Sequence, residues 1–275
     1  PNTTLSYGMF DDIQKAADAM KEILKLEPSA AEIVDDNLIN FIDDNNPHQL
    51  PDMISRPFAK IVLIVEFDDV ADSAQRKKAK KLRKIFDNYC FEYETTRDEF
   101  EKEQIWKLRH SAAAVIWHKQ GNAKALPIIE DGVVPQDKFK EYIENVYAIL
   151  KKHNLDIAVW GHAGDANLHM QPFLDLSSVG DRQRLFKIAD DYYTMVLSLG
   201  GSTSGEHNDG RLRAPYLETM FGEETYALFG KVKKLFDPLN TLNPGVKLGP
   251  SQKDLTKMLR RDYALEHLYD HMPRT

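Results

Sequence analysis

Residues 160–172 read WGHAGDANLHMQP, the pattern of two short strands joined by a turn. Gly, Asp and Asn, which favour turns, cluster around Asp165 and Ala166. We therefore predict that the chain reverses between these two residues, with strands over residues 156–162 and 166–172. Strands joined by so short a turn pair antiparallel. The stretch thus predicts an antiparallel hairpin.

Long helical segments surround this hairpin in the sequence. Strand patterns occupy residues 59–67 and 90–95. Apolar residues recur at helical spacing in residues 9–26, 31–41, 71–88, 98–119, 138–154, 182–199, 219–236 and 253–272. We predict the α+β class, an antiparallel sheet covered by helices, with a C-terminal helical segment. No linker, repeat or low-complexity segment divides the chain, so we predict one domain over residues 1–275.

The composition excludes several classes of function. The 275 residues include 36 Lys and Arg against 43 Asp and Glu, and the net charge of −7 argues against a general nucleic-acid binder. Cys90 is the only cysteine, which excludes an internal disulfide and a cysteine-held iron–sulfur cluster. Neither a dinucleotide-binding glycine motif nor a P-loop is present. No apolar run approaches the ~20 residues of a membrane span.

One basic run bears on where the protein works. Residues 76–84 read RKKAKKLRK. The run is either a patch for an anionic membrane or partner, or the solvated face of a helix whose apolar stripe includes Leu82, Ile85 and Phe86. The chain also begins without a secretory signal. We expect a cytoplasmic protein, with peripheral attachment to the inner face of the membrane as the alternative.

Two histidines of the hairpin are candidate metal ligands. With the predicted turn, His162 lies opposite His169 and both point to one face, with Cβ atoms about 4.5–5.5 Å apart. Two imidazoles and one carboxylate are a common ligand set for a catalytic divalent metal. The alternative is a hairpin with two polar residues on its wet face. In the last predicted helix, His267 and His271 are a second possible metal pair or an incidental surface pair.

A Gly/Ser loop supplies the candidate carboxylate. Residues 200–213 read GGSTSGEHNDGRLR, in which Glu206 offers a hard oxygen ligand. The adjacent His207 is a candidate general base, because an unperturbed imidazole titrates near pH ~6.5. The alternative is a solvent loop with a chance Glu-His pair. Arg109, on the predicted helix over residues 98–119, is either a surface residue or a bidentate clamp for a carboxylate.

Four motifs together resemble a known family. Gly-His-x-Gly-Asp-x-Asn-Leu-His stands at residues 161–169, Gly-Glu-His at 205–207 and Trp-x-x-Arg at 106–109, and the turn sequence FDPLNTLNPG occupies 236–245. In order and spacing they resemble the C-terminal substrate-binding, or cap, part of the FAD-linked oxidases. That family includes D-lactate dehydrogenases, glycolate oxidase subunits and D-2-hydroxyglutarate dehydrogenase. The resemblance extends over nearly the whole chain.

The resemblance implies a role for each matched residue. His162, His169 and Glu206 would hold a divalent metal, zinc or manganese, that chelates a small 2-hydroxyacid. His207 would take the hydroxyl proton while the C2 hydride leaves for FAD. The remaining roles are substrate binding by Arg109, Asn167 and Lys124, and return of the chain toward the flavin by Asn243 and Gly245.

Departures from the family pattern leave parts of this interpretation open. Ile129 stands where some members have a substrate lysine, and Lys124 is the nearest substitute. Arg211 and Arg213 could contact a distal acid group of the substrate. The family's FAD-binding domain is absent from this sequence, so we expect an isolated C-terminal part that binds FAD weakly and does not turn over alone. That domain, the 2-hydroxyacid and an unidentified electron acceptor are the expected partners.

Two other functions are compatible with the same residues. A stand-alone metallohydrolase could use His162, His169 and Glu206 around a metal-bound water, and it would be active without flavin. A non-catalytic interaction module could retain the fold and bind neither metal nor 2-hydroxyacid. An upstream FAD-binding region in the encoding gene would favour the oxidoreductase over both.

Overall fold

A seven-stranded antiparallel sheet organises the computed structural model, which describes residues 2–45, 47–51, 54, 56–116, 123–155 and 157–259. The strands are β1 Thr4–Phe10, β2 Ala30–Asp35, β3 Ile61–Phe67, β4 Glu92–Thr96, β5 Lys124–Ala125, β6 Gly132–Val133, β7 Val159–His162, β8 Asn167–Met170 and β9 Phe173–Leu174. The main sheet has the order β4-β1-β3-β2-β7-β8-β6, and β5 pairs with β9 separately. The predicted hairpin, β7 and β8, therefore lies toward one side of a larger sheet.

Helices cover both faces of the main sheet. They are α1 Ile13–Ile23, α2 Asp36–Asn45, α3 Asp72–Tyr89, α4 Glu99–Ile116, α5 Phe139–Lys152, α6 Val179–Ser198, α7 Leu217–Phe221, α8 Glu223–Phe236 and α9 Gln252–Met258. The core on one face includes residues of α1, α3, α5 and α6, and the core on the other includes residues of α2 and α4. The predicted α+β class, an antiparallel sheet covered by helices, is confirmed.

Burial on both faces explains two mistaken helix boundaries. In β2, Ile33 enters one core and Val34 the other. Such a strand is apolar on both sides, so periodicity alone does not separate it from a buried helix. The helix predicted over residues 31–41 is therefore a strand followed by α2, and the helix predicted over residues 9–26 overlaps the end of β1 before α1 begins.

The hairpin has a different register from the one predicted. His162 pairs with Asn167, and His169 pairs with Trp160. The reason is the position of the turn: residues 163–165 form one 3₁₀ turn and Ala166 is left-handed with φ 52°, so the reversal is centred one residue earlier than predicted. The shift amounts to two residues, which preserves the face of every side chain because strands have a period of two. His162 and His169 therefore still share a face, with ring centroids 5.5 Å apart.

The structure also bears on the predictions for the basic run and for the C-terminal segment. In α3, Leu82, Ile85 and Phe86 are buried in the core while most of the basic residues are exposed, an arrangement that both the solvated face and the anionic-partner patch require. The C-terminal helical segment includes α9, and His267 and His271 lie outside the described residues. Among the described helices, none is long and apolar enough to cross a bilayer. The cytoplasmic location and its peripheral-membrane alternative stay predictions.

Candidate active site

A cleft of about 330 Å³ opens on the sheet face covered by α2 and α4. His162 of β7 and His169 of β8 reach it from the hairpin, because both share the face of Trp160. The cleft is lined by Glu32, Trp106, Arg109, His110, Glu130, Trp160, His162, His169, Gln171, Glu206 and His207. It therefore brings together the three predicted metal ligands, the predicted base and the predicted clamp.

Three imidazole rings converge on a single carboxylate oxygen. Oε1 of Glu206 lies 3.3 Å from Nε2 of His162 and 3.2 Å from Nε2 of His169. Nε2 of His207 lies 3.5 Å from the same oxygen. Glu206 and His207 are about half exposed, whereas His169 is buried. The convergence point is thus open to the cleft on one side and enclosed by the sheet on the other.

The opposite nitrogen of each ring faces a buried carboxylate. Nδ1 of His162 lies 2.8 Å from Oε1 of Glu32. Oε2 of Glu130 contacts both of the other rings: it lies 3.3 Å from Nδ1 of His169 and 2.9 Å from Nδ1 of His207. An ionised carboxylate only accepts hydrogen bonds, so each Nδ1 carries a proton. Nε2 of each ring is then the nitrogen that faces Glu206.

This arrangement requires a positive charge between Glu206 and the rings. Nε2 lone pairs and a carboxylate oxygen repel one another at 3.2–3.3 Å unless a proton or a metal ion lies between them. Around a tetrahedral zinc with bonds of about 2.0–2.1 Å, neighbouring ligand atoms are about 3.4 Å apart. Ligand atoms of His162, His169 and Glu206 all lie within 4.8 Å of one another. The donor set therefore fits a divalent metal.

A second cluster satisfies the same distance criterion with different residues. Ligand atoms of Glu130, His169 and His207 also lie within 4.8 Å of one another. However, Glu130 already pairs with the buried guanidinium of Arg213. That pair occupies the carboxylate with a cation, so the set that includes Glu206 fits a metal ion better.

Asp131 holds the loop that carries Glu206. Its side chain accepts hydrogen bonds from Ser204 Oγ at 2.6 Å and from the backbone N–H groups of Glu206 and His207 at 3.0 and 2.9 Å. Burial raises the pKa of Asp131. The hydrogen bonds from the Ser204 hydroxyl and these two N–H groups outweigh burial, so the pKa of Asp131 lies below its ordinary value. The buried charge thereby fixes the position of the Gly-Glu-His segment.

Arg109 reaches the cleft from α4 and is held by Glu32. Its Nε lies 2.6 Å from Oε2 of Glu32, and the two side chains are 12% and 8% exposed. Burial raises the pKa of Glu32, but the hydrogen bond with His162 and the charge of Arg109 outweigh burial and lower it. The hydrogen bond with Glu32 raises the pKa of His162. One carboxylate therefore contacts both sides of the cleft.

Comparisons with known proteins identify the family. The model of FAD linked oxidases, C-terminal domain, matches residues 2–246. The chain belongs to this family. It is 31% identical over 265 residues to D-2-hydroxyglutarate dehydrogenase of Escherichia coli K12, covering 92% of this chain and 26% of that protein. It is 28% identical over 240 residues to glycolate oxidase subunit GlcD of Bacillus subtilis 168, covering 86% of this chain and 49% of that protein.

Solved structures support the fold assignment of this FAD-linked oxidase domain. 4-Ethylphenol oxidase from Gulosibacter chungangensis matches with a TM-score of 0.64 and 13% identity, over 92% of this chain and 55% of that one. p-Cresol methylhydroxylase matches with a TM-score of 0.62 and 14% identity, over 90% and 53%. At these identities the likeness shows the fold alone. The chain spans about a quarter to a half of the two curated relatives it matches above.

Four predicted site residues of this family domain lie outside the cleft lining. Asn167 is buried beneath it, donating to Asp131 Oδ1 at 3.3 Å and to the carbonyl of Gly132 at 3.2 Å. Lys124 lies in β5, while Asn243 and Gly245 lie in the loop after α8. Asn243 lines a separate apolar groove of about 530 Å³. The substrate and flavin roles of these residues stay predictions.

The sequence interpretation missed four residues that matter in the site. They are Glu32, Glu130, Asp131 and Gln171. The signal for the first three was an acidic residue inside an apolar run, because a buried carboxylate needs partners. Gln171 lines the cleft, and its Oε1 is buried with no hydrogen-bond partner among the described residues. That oxygen is free to meet a donor in the cleft.

Proposed function

We propose that the protein containing this chain oxidises a small 2-hydroxyacid, passing hydride from C2 to FAD, and that this chain supplies the metal and the substrate contacts. The observation that supports the proposal best is the convergence of imidazole Nε2 atoms on Glu206 Oε1, beside Arg109 in one cleft. The relatives named D-2-hydroxyglutarate dehydrogenase and glycolate oxidase subunit GlcD support the substrate class.

The residues divide the work by their chemistry. His162, His169 and Glu206 hold the divalent metal, zinc or manganese, and this ion lowers the pKa of a coordinated hydroxyl. His207 is positioned to take the hydroxyl proton, since its Nδ1 proton is held by Glu130 and its Nε2 faces the cleft. Arg109 binds the carboxylate of the substrate through its guanidinium. We retain Asn167 and Lys124 as further substrate-binding residues.

FAD supplies the hydride acceptor and is bound mainly by a separate FAD-binding domain of the same protein. The exposed apolar side chains of α8 and the residues after it support this part of the proposal. Val232, Leu235, Phe236 and Leu239 are 56–84% exposed, a large apolar surface for a soluble domain. Asn243 and Gly245 follow directly in the chain. We propose that the FAD-binding domain covers this surface.

Metal content tests the proposal most directly. The chain, purified without chelators, is expected to contain nearly one zinc or manganese per molecule by mass spectrometry. His169→Ala should lose the metal. His153→Ala is the matched control, because His153 is bound to Asp191 on α6, outside the cleft lining. Absence of metal from both the chain and the full-length protein would contradict the metal assignment.

A flavin-free assay separates the oxidoreductase from the hydrolase. The chain alone, loaded with zinc, should not hydrolyse simple esters or amides. The full-length protein should reduce its flavin when D-lactate, glycolate or D-2-hydroxyglutarate is added, and the His207→Ala variant should not. Hydrolysis by the chain that disappears in His169→Ala would favour the metallohydrolase. A metal-loaded, flavin-loaded protein that reacts with none of these acids would contradict the proposed substrate class.

A further inference from the structure

Glu32 divides its two oxygens between two different functional groups. Oε1 lies 2.8 Å from Nδ1 of His162, and Oε2 lies 2.6 Å from Nε of Arg109. The side chain is only 8% exposed. The proposed metal ligand and the proposed substrate clamp therefore share one buried carboxylate, although they come from β7 and α4.

The sheet itself places Glu32 against His162. β2 pairs with β7, with Ile33 opposite Gly161 and Val34 opposite Trp160. Extending this register by one residue puts Glu32 opposite His162. Residues opposite each other in an antiparallel pair project to the same face. The hydrogen bond between Glu32 and His162 is thus a cross-strand contact set by the backbone.

The charge of Glu32 is needed as much as its shape. A guanidinium beside a divalent metal is a repulsive pair of like charges. A carboxylate between them offsets this repulsion and keeps Arg109 in place when the metal is bound. The same carboxylate fixes the ring orientation and tautomer of His162, the usual role of a carboxylate behind a metal-binding histidine.

We propose that Glu32 is a positioning residue that couples the Arg109 clamp to the His162 ligand, so that metal binding and substrate-carboxylate binding depend on one side chain. The inference rests on the proposed function and extends it. Glu32 touches neither substrate nor metal. A glutamine amide at this position can accept a hydrogen bond from either His162 or Arg109, and its NH₂ group then faces the other N–H donor. The substitution therefore breaks the coupling with almost no change in side-chain volume.

The decisive variant is Glu32→Gln, with Glu66→Gln as control. Glu66 belongs to the neighbouring strand β3, and its side chain accepts only an exposed hydrogen bond from Ser29 among the described contacts. Nitrogen NMR of the metal-free chain reports the tautomer of His162 and the Nε–H signal of Arg109. Both signals should shift in Glu32→Gln and stay unchanged in Glu66→Gln. A shift of one signal alone, or of neither, would overturn the coupling.

Zinc affinity gives a second readout. In competition with a chromophoric chelator, Glu32→Gln should bind zinc about ten- to hundred-fold more weakly than the wild-type chain. Glu32→Asp, which keeps the charge, should recover part of that affinity. Equal affinity of Glu32→Gln and wild type would overturn the inference. If neither the chain nor the full-length protein binds zinc or manganese, the metal assignment fails, while the NMR signals of the metal-free chain still decide whether Glu32 holds both partners.

Discussion

Two carboxylate–arginine pairs lie beside the candidate active site, and they differ in whether the arginine side chain lines the cleft. Glu32 pairs with Arg109, and Glu130 pairs with Arg213. In each pair the carboxylate also faces imidazole Nδ1 atoms. Every one of these four side chains is at most 12% exposed. The two pairs are therefore built from the same chemistry at similar depth.

The arginines use their donors differently. Arg213 donates to the hydroxyl of Tyr193, to the backbone carbonyl of Asn208 and to both the carbonyl and the carboxylate of Glu130. The expectation that Arg213 contacts a distal acid group of the substrate is therefore wrong, because its donors are engaged inside the protein. Arg109 instead lines the cleft. Access to the cleft, and not pairing with a carboxylate, therefore separates a structural arginine from a candidate functional one.

Removing each arginine should lower the stability of the protein by a different amount. Arg213→Ala leaves the buried charge of Glu130 uncompensated, so we expect a loss of about 3–5 kcal/mol in the free energy of unfolding. Arg109→Ala should lose less, because the described hydrogen bond of Arg109 is with Glu32 alone, whereas Arg213 also holds Tyr193 and the carbonyl of Asn208. Urea unfolding of the two variants measures both losses. Equal losses would show that the two pairs are structurally equivalent.

Substrate binding should respond in the opposite order. In the full-length protein, Arg109→Ala should weaken apparent affinity for the 2-hydroxyacid about a hundred-fold and leave the bound flavin in place, because it removes a charged clamp from the cleft. Steady-state kinetics and the flavin absorbance measure the two quantities. Arg76→Ala, on the exposed face of α3, is the control. Unchanged affinity in Arg109→Ala would exclude the clamp.

Acid should weaken the pair at Glu130. Burial raises the pKa of Glu130, but its hydrogen bond with His169 and the charge of Arg213 lower it below 4.5. The native state therefore binds this proton less readily than the unfolded state does. The stability that Glu130 contributes is present above pH 4.5 and is lost as the pH falls through the native pKa, by up to about 1.4 kcal/mol per pH unit.

Urea unfolding as a function of pH tests this dependence. The wild-type chain should lose stability below about pH 4.5 more steeply than Glu130→Gln, which has no proton to bind. Glu66→Gln should follow the wild-type curve. Parallel curves for wild type and Glu130→Gln would show that the paired charge contributes nothing to the acid sensitivity.

The smallest change in stability is expected for Arg211, which lies two residues before Arg213 in the chain. Arg211 is exposed, and its described hydrogen bond is a 3.3 Å contact with the carbonyl of Pro244. Arg211→Ala should change the free energy of unfolding by less than about 0.5 kcal/mol. Kinetics on a dicarboxylic 2-hydroxyacid then test its remaining candidate role. A higher KM for that acid, with no change for D-lactate, would assign the distal acid group to Arg211.

The sequence predicted the face of the ligands better than their register. Turn chemistry located the hairpin, and strand periodicity put His162 and His169 on one side of it. The actual turn is centred one residue earlier, which moves the partner of His162 from His169 to Asn167. The prediction of a shared face survived because a two-residue shift leaves every side chain on its original side.

The partners of the histidines could not be read from spacing. Glu32 lies 130 residues from His162, and Glu130 lies 77 residues from His207. No local pattern connects positions so far apart in the chain. An acidic residue inside an apolar run was a visible sign that each carboxylate needed a buried partner, but the sign did not identify that partner.

The local features could be predicted from the amino-acid sequence: a hairpin with two histidines, a Gly-Glu-His loop, an amphipathic helix carrying Arg109, and a family membership that the comparisons confirm. Each of these features depends on residues that are neighbours in the chain. Which arginine faces the cleft, and which carboxylate contacts each imidazole ring, became known from the packing of the folded chain. That choice depends on how strands and helices stack across the sheet, and long-range packing brings together charges that must compensate one another once they are buried.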